Sequence, residues 1–378
     1  MKSTLKNKKL GDYIHQVDIR NKNLEVQILL GVSNEKYFMP SIANIVGTDL
    51  SSYKIVKYNQ FAYGTVTSRN GDKISIALLK EKECIVSSSY IVFEINDINE
   101  LNPDYLMMWF KRPEFDRYSR YMSHGSVREL FVWEKLCEVE LPIPSIEEQL
   151  KIVDDYKVIE ERIAIKEAIN NNLFEQAKLL FKNFYDDPTV FDESMISLKE
   201  FCNQISSGGT PSRDNAEYWN SNDYNWLKNG EIKNNIIFDT EEYISTKGLN
   251  NSSAKVISAN SVSMAMYCVS DIQVSFNCIP LATNQAVLNF QTDSFLKSCI
   301  VYYLLASFGN DLTTKANGSA QQNLSKDTIQ AYQFKTPILE NTFFEYLVAN
   351  MNERISISKE INSLNYLKLT LIEATSKQ

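Results

Sequence analysis

From Ile146 to Phe184 the chain contains neither glycine nor proline, and its apolar or seam positions return at alternating intervals of four and three. They are Ile152, Tyr156, Ile159, Ile163, Lys166, Asn170, Leu173, Ala177, Leu180 and Phe184. That heptad spacing predicts one uninterrupted helix with a single packing seam. Pro144-Ser145 opens it, with Glu147 and Glu148 in the first turn, where the helix dipole favours negative charge. Asp186-Asp187-Pro188 closes it, because proline disfavours helical geometry in the residue before it. A second stretch, from Pro337 to about Ala374, repeats the design through Leu347, Asn350, Arg354, Ile357, Ile361, Leu364, Lys368 and Leu371. The polar seam residues Lys166, Asn170, Asn350, Arg354 and Lys368 are costly beside apolar neighbours unless they face each other or a partner, and such residues fix register in a coiled coil.

What precedes the two helices is also alike. His124-Gly125-Ser126-Val127-Arg128-Glu129 leads to Pro144, and Asn317-Gly318-Ser319-Ala320-Gln321-Gln322 leads to Pro337, with the same 19-residue interval from Gly to Pro. The register then holds, with one slip, to Glu161-Arg162-Ile163 against Glu353-Arg354-Ile355. The chain therefore reads as a tandem duplication of a globular block followed by a long helix. Each block mixes strand-like alternation, as at Lys73 to Leu79 and Ser89 to Ile95, with one amphipathic helix, Pro103 to about Met122 in the first and Ser294 to about Phe308 in the second. Asn220 to Asn235 and Lys247 to Ser263 read as loops. The expectation is an α+β fold divided as 1–143, 144–187, 188–336 and 337–378.

Composition fits this division. The 378 residues are 44% hydrophobic and 23% charged, enough to bury two cores and too apolar for a disordered chain. No apolar run approaches the ~20 residues of a membrane span. The basic N-terminus lacks the apolar stretch of a signal peptide, so a cytoplasmic protein with no membrane association is expected. Six scattered cysteines and two histidines, His15 and His124, give no zinc spacing, and no metal site is expected. The net charge of -8 argues against nucleic acid until its distribution is considered: residues 144 to 192 hold six basic and eleven acidic side chains, and the larger blocks are near neutral.

Candidate chemistry is sparse. Asn102-Pro103-Asp104-Tyr105 is one residue from the pattern by which amino-methyltransferases hold a target base, but a helix cap explains it fully. Glu231 and Lys233, with Asp214 or Asp223 upstream, resemble a metal-dependent nuclease triad in its loosest form. No phosphate-binding loop, zinc-protease helix or nucleophile elbow is present. In Ser207-Gly208-Gly209-Thr210-Pro211-Ser212, adjacent glycines can turn their N–H groups toward an anion and the hydroxyls add donors; a plain turn is the alternative. His124, Ser126 and Arg128 align with Asn317, Ser319 and Gln321, followed by Gln322. Side chains of this kind suit base readout, since Asn and Gln bond adenine and Arg bonds guanine bidentately.

The second block carries Ser207-Gly208-Gly209-Thr210-Pro211-Ser212, Glu217-Tyr218-Trp219, Trp226-Leu227, Gly230-Glu231-Ile232, Asn251-Ser252-Ser253-Ala254, Thr283-Asn284-Gln285-Ala286 and Gly318-Ser319-Ala320-Gln321-Gln322-Asn323-Leu324-Ser325. Together with the junction Leu141-Pro142-Ile143-Pro144-Ser145-Ile146-Glu147-Glu148-Gln149, these strings resemble the specificity subunit of Type I restriction-modification systems. The first block lacks the Gly-Gly-Thr-Pro string, and the second junction, Thr336-Pro337-Ile338-Leu339-Glu340-Asn341-Thr342, lacks the Glu-Gln, which suggests a weaker constraint on the second helix start.

The resemblance implies two similar α/β target recognition domains, 1–143 and 188–336, held by two long antiparallel coiled-coil helices in a pseudo-two-fold tandem repeat. Each domain reads one half of a split double-stranded DNA target. The chain itself is non-catalytic and holds no cofactor. Methyltransferase (modification) subunits and a restriction (motor and nuclease) subunit are the implied partners, and S-adenosylmethionine, ATP and magnesium belong to them. DNA-contact candidates are Arg69, His124, Ser126 and Arg128 in the first block, and Gly208, Gly209, Thr210, Ser212, Lys228, Asn284, Gln285, Ser319, Gln321 and Gln322 in the second. Helix-packing and partner candidates are Ile152, Tyr156, Ile159, Ile163, Leu173, Leu180, Leu347, Ile357, Ile361 and Leu364. The second block holds one arginine, Arg213, so its half-site is expected to lean toward A·T pairs. The competing readings are a DNA-acting enzyme, either a nuclease using Asp223, Glu231 and Lys233 or a degenerate methyltransferase, and a scaffold remnant that no longer binds DNA.

Overall fold

The computed structural model describes residues 7–41, 47–68, 71, 73–123, 129–266, 272–315 and 325–374. The chain forms two compact units, residues 1–162 with 364–378, and residues 163–363. Two long helices, Ile146–Phe184 and Thr342–Ala374, each contribute to both.

In the first unit, strands Ile14–Val17, Tyr90–Ile95, Phe61–Gly64 and Ile76–Leu78 form an antiparallel sheet in that spatial order. Phe61 and Phe93 stand opposite each other with ring centroids 4.8 Å apart, and Phe110 meets Phe61 edge-on. The single helix expected from Pro103 to Met122 is two, Pro103–Phe110 and Pro113–Tyr121, because Pro113 has no N–H to continue the first and starts the second. Asn102 caps the first helix, accepting from the N–H groups of Asp104 (2.9 Å) and Tyr105 (3.1 Å).

The central helix spans Ile146–Phe184, as its pattern predicts. Ser145 and Glu148 cap its start reciprocally: the Glu148 N–H reaches Ser145 Oγ (3.4 Å) and the Ser145 N–H reaches Glu148 Oε2 (3.2 Å). Gln149 is fully buried and uses its whole amide. Its Oε1 accepts from the Asn102 N–H (2.8 Å), while Nε2 donates to the carbonyls of Glu100 and Pro144 (both 2.9 Å). The Glu-Glu-Gln junction is thus a staple that ties the helix start to the loop capping the Pro103 helix. Val153, Tyr156 and Ile372 enter this unit's core, and Glu160 lies 3.3 Å from Lys111 and 3.7 Å from Lys368.

The second unit pairs the central helix with the C-terminal one in antiparallel sense. Asn170 meets Ser358 (3.1 Å), Lys166 meets Glu360 (2.8 Å), and Asn350 Nδ2 donates to the Leu173 carbonyl (3.1 Å). The polar seam residues of this unit therefore find partners on the opposite helix, and Asn170 and Arg354 meet each other. Ile163, Leu347, Ile357 and Leu364 are buried, and Ile152, Ile159, Leu173, Leu180 and Ile361 are half-buried. The C-terminal helix begins at Thr342, later than its pattern suggests, because strand Gln333–Pro337 pairs with Phe191–Ser197 first. Its start is held despite lacking Glu-Gln. Asn341 Oδ1 accepts from the Phe343 N–H (2.8 Å) and its Nδ2 donates to the Thr189 carbonyl (2.8 Å).

Against the helices lies a five-stranded sheet in the order Gln204–Ser207, Val287–Gln291, Ser261–Ala265, Val274–Asn277 and Ile236–Ile237, with only the last pair parallel. One face supplies the register row Ile205, Phe290, Val262, Phe276 and Ile236 to a core shared with Phe174, Phe181, Tyr302, Tyr303 and Leu347. Alternation puts Ser206, Asn289, Ser263 and Ser275 on the other face. Two regions expected as loops hold structure: Tyr224–Leu227 pairs with Glu242–Ile244 and Ala282–Thr283, and Thr246–Asn250 is a short helix. The Ser294 helix runs Phe295–Lys315.

Gln149→Ala takes a hydrogen-bond partner from three backbone groups, those of Glu100, Asn102 and Pro144, so it should lower stability by about 3 kcal/mol. Asn341→Ala, a helix-cap loss, should cost about 1 kcal/mol. Chemical denaturation of the purified chain distinguishes the two; equal effects would contradict the staple.

Candidate nucleic-acid interface

Strand Gln204–Ser207 leaves the sheet through Gly208 and Gly209, which cross two other loops at backbone distance. A Cβ on Gly208 would stand 2.1 Å from the Thr283 carbonyl oxygen, and one on Gly209 would stand 2.5 Å from the Ala254 nitrogen. Only glycine fits at either place. The Gly208 N–H donates to the Val287 carbonyl (3.3 Å) and the Gly209 N–H to that of Thr283 (2.8 Å). This corrects the anion-facing role expected for Gly208 and Gly209, since both donors are engaged inside the fold. Their work is to bring the Ser207–Ser212, Asn251–Ala254 and Thr283–Ala286 strings together.

The junction is held from below by a buried polar row. Asn277 Nδ2 donates to Ser263 Oγ (2.8 Å), Ser263 Oγ donates to Asn289 Oδ1 (2.8 Å), and Asn289 Nδ2 donates to Thr283 Oγ1 (2.8 Å). The row ties the Thr283–Ala286 turn to three strands, and at its far end Asn277 Oδ1 is buried without a hydrogen-bond partner among the described residues. Above it, the Thr210 hydroxyl donates to Gln285 Oε1, with Gln285 exposed and Thr210 half-buried. Asn284 is half-buried and serves the turn: its N–H donates to the Leu227 carbonyl (3.1 Å) and its Oδ1 accepts from the Ala286 N–H (3.2 Å).

Beside this edge stands a cluster that the sequence reading did not assemble. Trp226 Nε1 donates to the Gly209 carbonyl (3.0 Å), and Trp219 Nε1 to that of exposed Ser212 (3.0 Å). The two indoles meet edge-to-face at 4.9 Å. The Arg213 guanidinium lies 3.6 Å from the Trp219 ring centroid and 2.6 Å from Glu242, whose other oxygen is 3.4 Å from Lys228. Lys228 also meets Glu241 at 2.7 Å. Burial opposes the Glu242 charge, but Arg213 and Lys228 outweigh it and hold the carboxyl below its ordinary range. The one signal of Arg213 in the sequence is its place next to the Gly-Gly-Thr-Pro-Ser string.

In the first unit Arg69, His124, Ser126 and Arg128 lie outside the described residues, as do Ser319, Gln321 and Gln322 in the second. The residues flanking the first set are joined: the Thr67 N–H donates to the Glu129 carbonyl (3.0 Å), and Val66 bridges Leu130. Nearby is a cleft of about 860 Å³ whose lining includes Lys36, Lys73, Arg117, Arg120 and Tyr121. Lys36, at φ 66°, sends its buried ammonium to Asp116 (2.7 Å), and burial lowers its pKa against that pull. Lys73 pairs with Glu35 (2.6 Å), Arg117 with Glu114 (3.1 Å) and Arg120 with Glu129.

The catalytic alternatives find no assembled site among the described residues. Asp223 accepts from the N–H (2.7 Å) and hydroxyl (2.8 Å) of Thr246, which depresses its pKa, and Glu231 accepts from the N–H groups of Lys228 (3.0 Å) and Glu241 (2.9 Å). Each carboxylate holds a different turn, and no cluster able to hold a metal is found among the described residues. Burial pushes the thiols of Cys84 and Cys202 up to about 12 and that of Cys278 to about 11, away from the nucleophilic range.

Two blocks, each followed by a long helix and the second carrying a glycine-built edge, make up the chain. The family described as Type I restriction modification DNA specificity domain matches twice, over residues 6–175 and 192–364, and the chain belongs to that family. It is 22% identical to the Type I restriction enzyme HindI specificity subunit of Haemophilus influenzae, over 90% of each chain. It is also 22% identical to the EcoR124I/EcoR124II specificity subunit of Escherichia coli over 52% of this chain, a match spanning 48% of that one. The crystal structure of the S subunit from M. genitalium shares its fold, with a TM-score of 0.52, 13% identity and coverage of 100% and 98%.

Gly208→Ala and Gly209→Ala force backbone apart and should each cost about 3 kcal/mol. At Gly230 an added Cβ meets nothing within 4 Å, so Gly230→Ala should stay within about 0.5 kcal/mol. Thermal denaturation of the three variants checks the order.

Proposed function

We propose that this specificity chain binds double-stranded DNA through both blocks, each reading one half of a bipartite target, and directs methylation and cleavage carried out by partner subunits. The observation that carries the reading is the double family match on a chain whose family strings converge at one edge. The division 1–143, 144–187, 188–336 and 337–378 gives two readers and two spacer helices, coiled against each other in a pseudo-two-fold repeat. A 39-residue helix rises about 58 Å, more than one ~34 Å turn of DNA, so half-sites on successive turns are within reach. The chain is non-catalytic in this reading. S-adenosylmethionine, ATP and magnesium are the partners' cofactors, and the complex works in the cytoplasm; no helix among the described residues is long and apolar enough to cross a membrane.

Modification subunits are assigned to the central helix. Its outward positions Val158 and Ile165, seven residues apart, and Leu179, fourteen further on, are exposed, as is Ile169, on a segment that carries much of the chain's negative charge. Val158→Asp with Ile165→Asp should weaken co-purification with the modification subunit at least tenfold and leave the melting temperature within about 2 °C, the mark of a surface change. Unchanged co-purification would reject the assignment.

For DNA, Thr210, Ser212, Lys228, Asn284 and Gln285 remain the contact candidates in the second block, with Ser319, Gln321 and Gln322. Its single arginine is committed to Glu242 and Trp219, which supports a half-site leaning toward A·T. Methylome sequencing of cells carrying the chain with its modification subunit should return a split motif with one A·T-rich half. A contiguous motif contradicts bipartite reading, and two G·C-only halves contradict the A·T assignment.

A further inference from the structure

Arg354 is 2% exposed, and among the described residues no carboxylate pairs with it. Its donors go to neutral oxygens. Nε reaches Asn170 Oδ1 (3.1 Å), one terminal nitrogen reaches the hydroxyls of Tyr302 (3.2 Å) and Tyr303 (3.5 Å), and the other reaches the Asn234 carbonyl (3.1 Å). The rings of Phe174 and Tyr302 lie 4.8 and 5.3 Å from the guanidinium. A charge buried in this way opposes folding more than an apolar side chain of the same size, so stability does not account for it. Its reach does. One planar fork fixes three elements in three directions: the central helix, the Phe295–Lys315 helix and the loop before strand Ile236–Ile237.

That loop leads to the candidate interface. Asn234 stands at φ 57°, and its carbonyl takes a second donor, the Tyr302 hydroxyl (2.8 Å). Asn235 Nδ2 donates to the Glu231 carbonyl (3.1 Å), and the Glu231 carboxylate receives the N–H groups of Lys228 and Glu241. Lys228 and Glu241 are the paired charges beside Arg213, and the next carbonyl back, that of Leu227, holds Asn284 (3.1 Å). A hydrogen-bonded path thus runs from the helix seam to the edge. Other directed contacts join the block to the two long helices, Tyr303 to Asn350 (2.6 Å) and Ser307 to the Lys178 carbonyl (3.3 Å), but both start from the Phe295–Lys315 helix and not from the loop that leads to the edge. The sheet row facing the helices is apolar, and apolar contact does not fix position along a helix as a directed fork does.

We propose that Arg354 is the positioning residue that fixes the second block's DNA-facing edge against the helix pair, and so sets the gap between half-sites. The inference rests on the bipartite reading given above. Its test uses the complete complex with its modification subunit. The motif is mapped first with the unaltered chain, and a plasmid series then carries it with the gap lengthened or shortened by one base pair. Arg354→Met fills the seam with an apolar side chain. It should raise methylation of altered-gap sites relative to the original by about tenfold, the scale of losing a charged hydrogen bond, with the bases of both halves unchanged. Tyr302→Phe removes the other donor on the same carbonyl; it should shift the ratio in the same direction by less, and it carries the test if Arg354→Met is insoluble. An unchanged ratio, whether total methylation falls or not, overturns the inference and leaves the bipartite reading intact. An unaltered chain that methylates no split motif overturns that reading, and the inference with it.

Discussion

A guanidinium held by hydroxyls, an amide and a carbonyl, with no carboxylate paired to it among the described residues, is the constraint around which the second unit is arranged. Apolar seams tolerate sliding by a turn; the meeting of Arg354 with Asn170 and the Asn234 carbonyl does not. Lys166 with Glu360 and Asn350 with the Leu173 carbonyl add further fixed points on the same two helices. Register is therefore specified by polar atoms, and the surrounding aromatic core of Phe174, Phe181, Tyr302 and Tyr303 supplies the burial that makes mispairing costly.

The same division of labour recurs at the candidate interface. Two glycines allow three loops to touch, a row of Ser, Asn and Thr side chains anchors one of them through the sheet, and the exposed surface is left to Gln285, Ser212 and the Arg213 cluster. Among the described residues of this edge, the exposed side chains are few. Most of the family strings visible in the second block build the edge and do not themselves face outward. The chain's negative charge bears on this only weakly, since much of it lies along the central helix, and Arg213 and Lys228 at the edge are matched by Glu241 and Glu242.

The long central helix was legible to the residue, because its two ends carry local signals: a Ser-x-x-Glu box and a closing Asp-Pro. The C-terminal helix was legible in pattern and not in start, since Pro337 ends a strand whose partner, Phe191, is remote in sequence. Pro113 was a local stop signal that the amphipathic pattern around it concealed. The short strands of the second block escaped because Asn- and Ser-rich segments pair with distant residues, as Trp226 does with Ala282. The glycine pair was visible as a special site, yet its reason, a crossing over Thr283 and Ala254, exists only in three dimensions. The fully engaged amide of Gln149 explains a junction string that sequence could only match by resemblance.

The central claim is that two blocks read two half-sites independently across a gap set by the helices. Replacing residues 188–336 with the corresponding block of another family member, and sequencing the methylome of cells carrying the chimera with its modification subunit, tests it most directly. The account expects one half of the motif to change while the other half and the gap stay as they were. A change in both halves, or in neither, would contradict it.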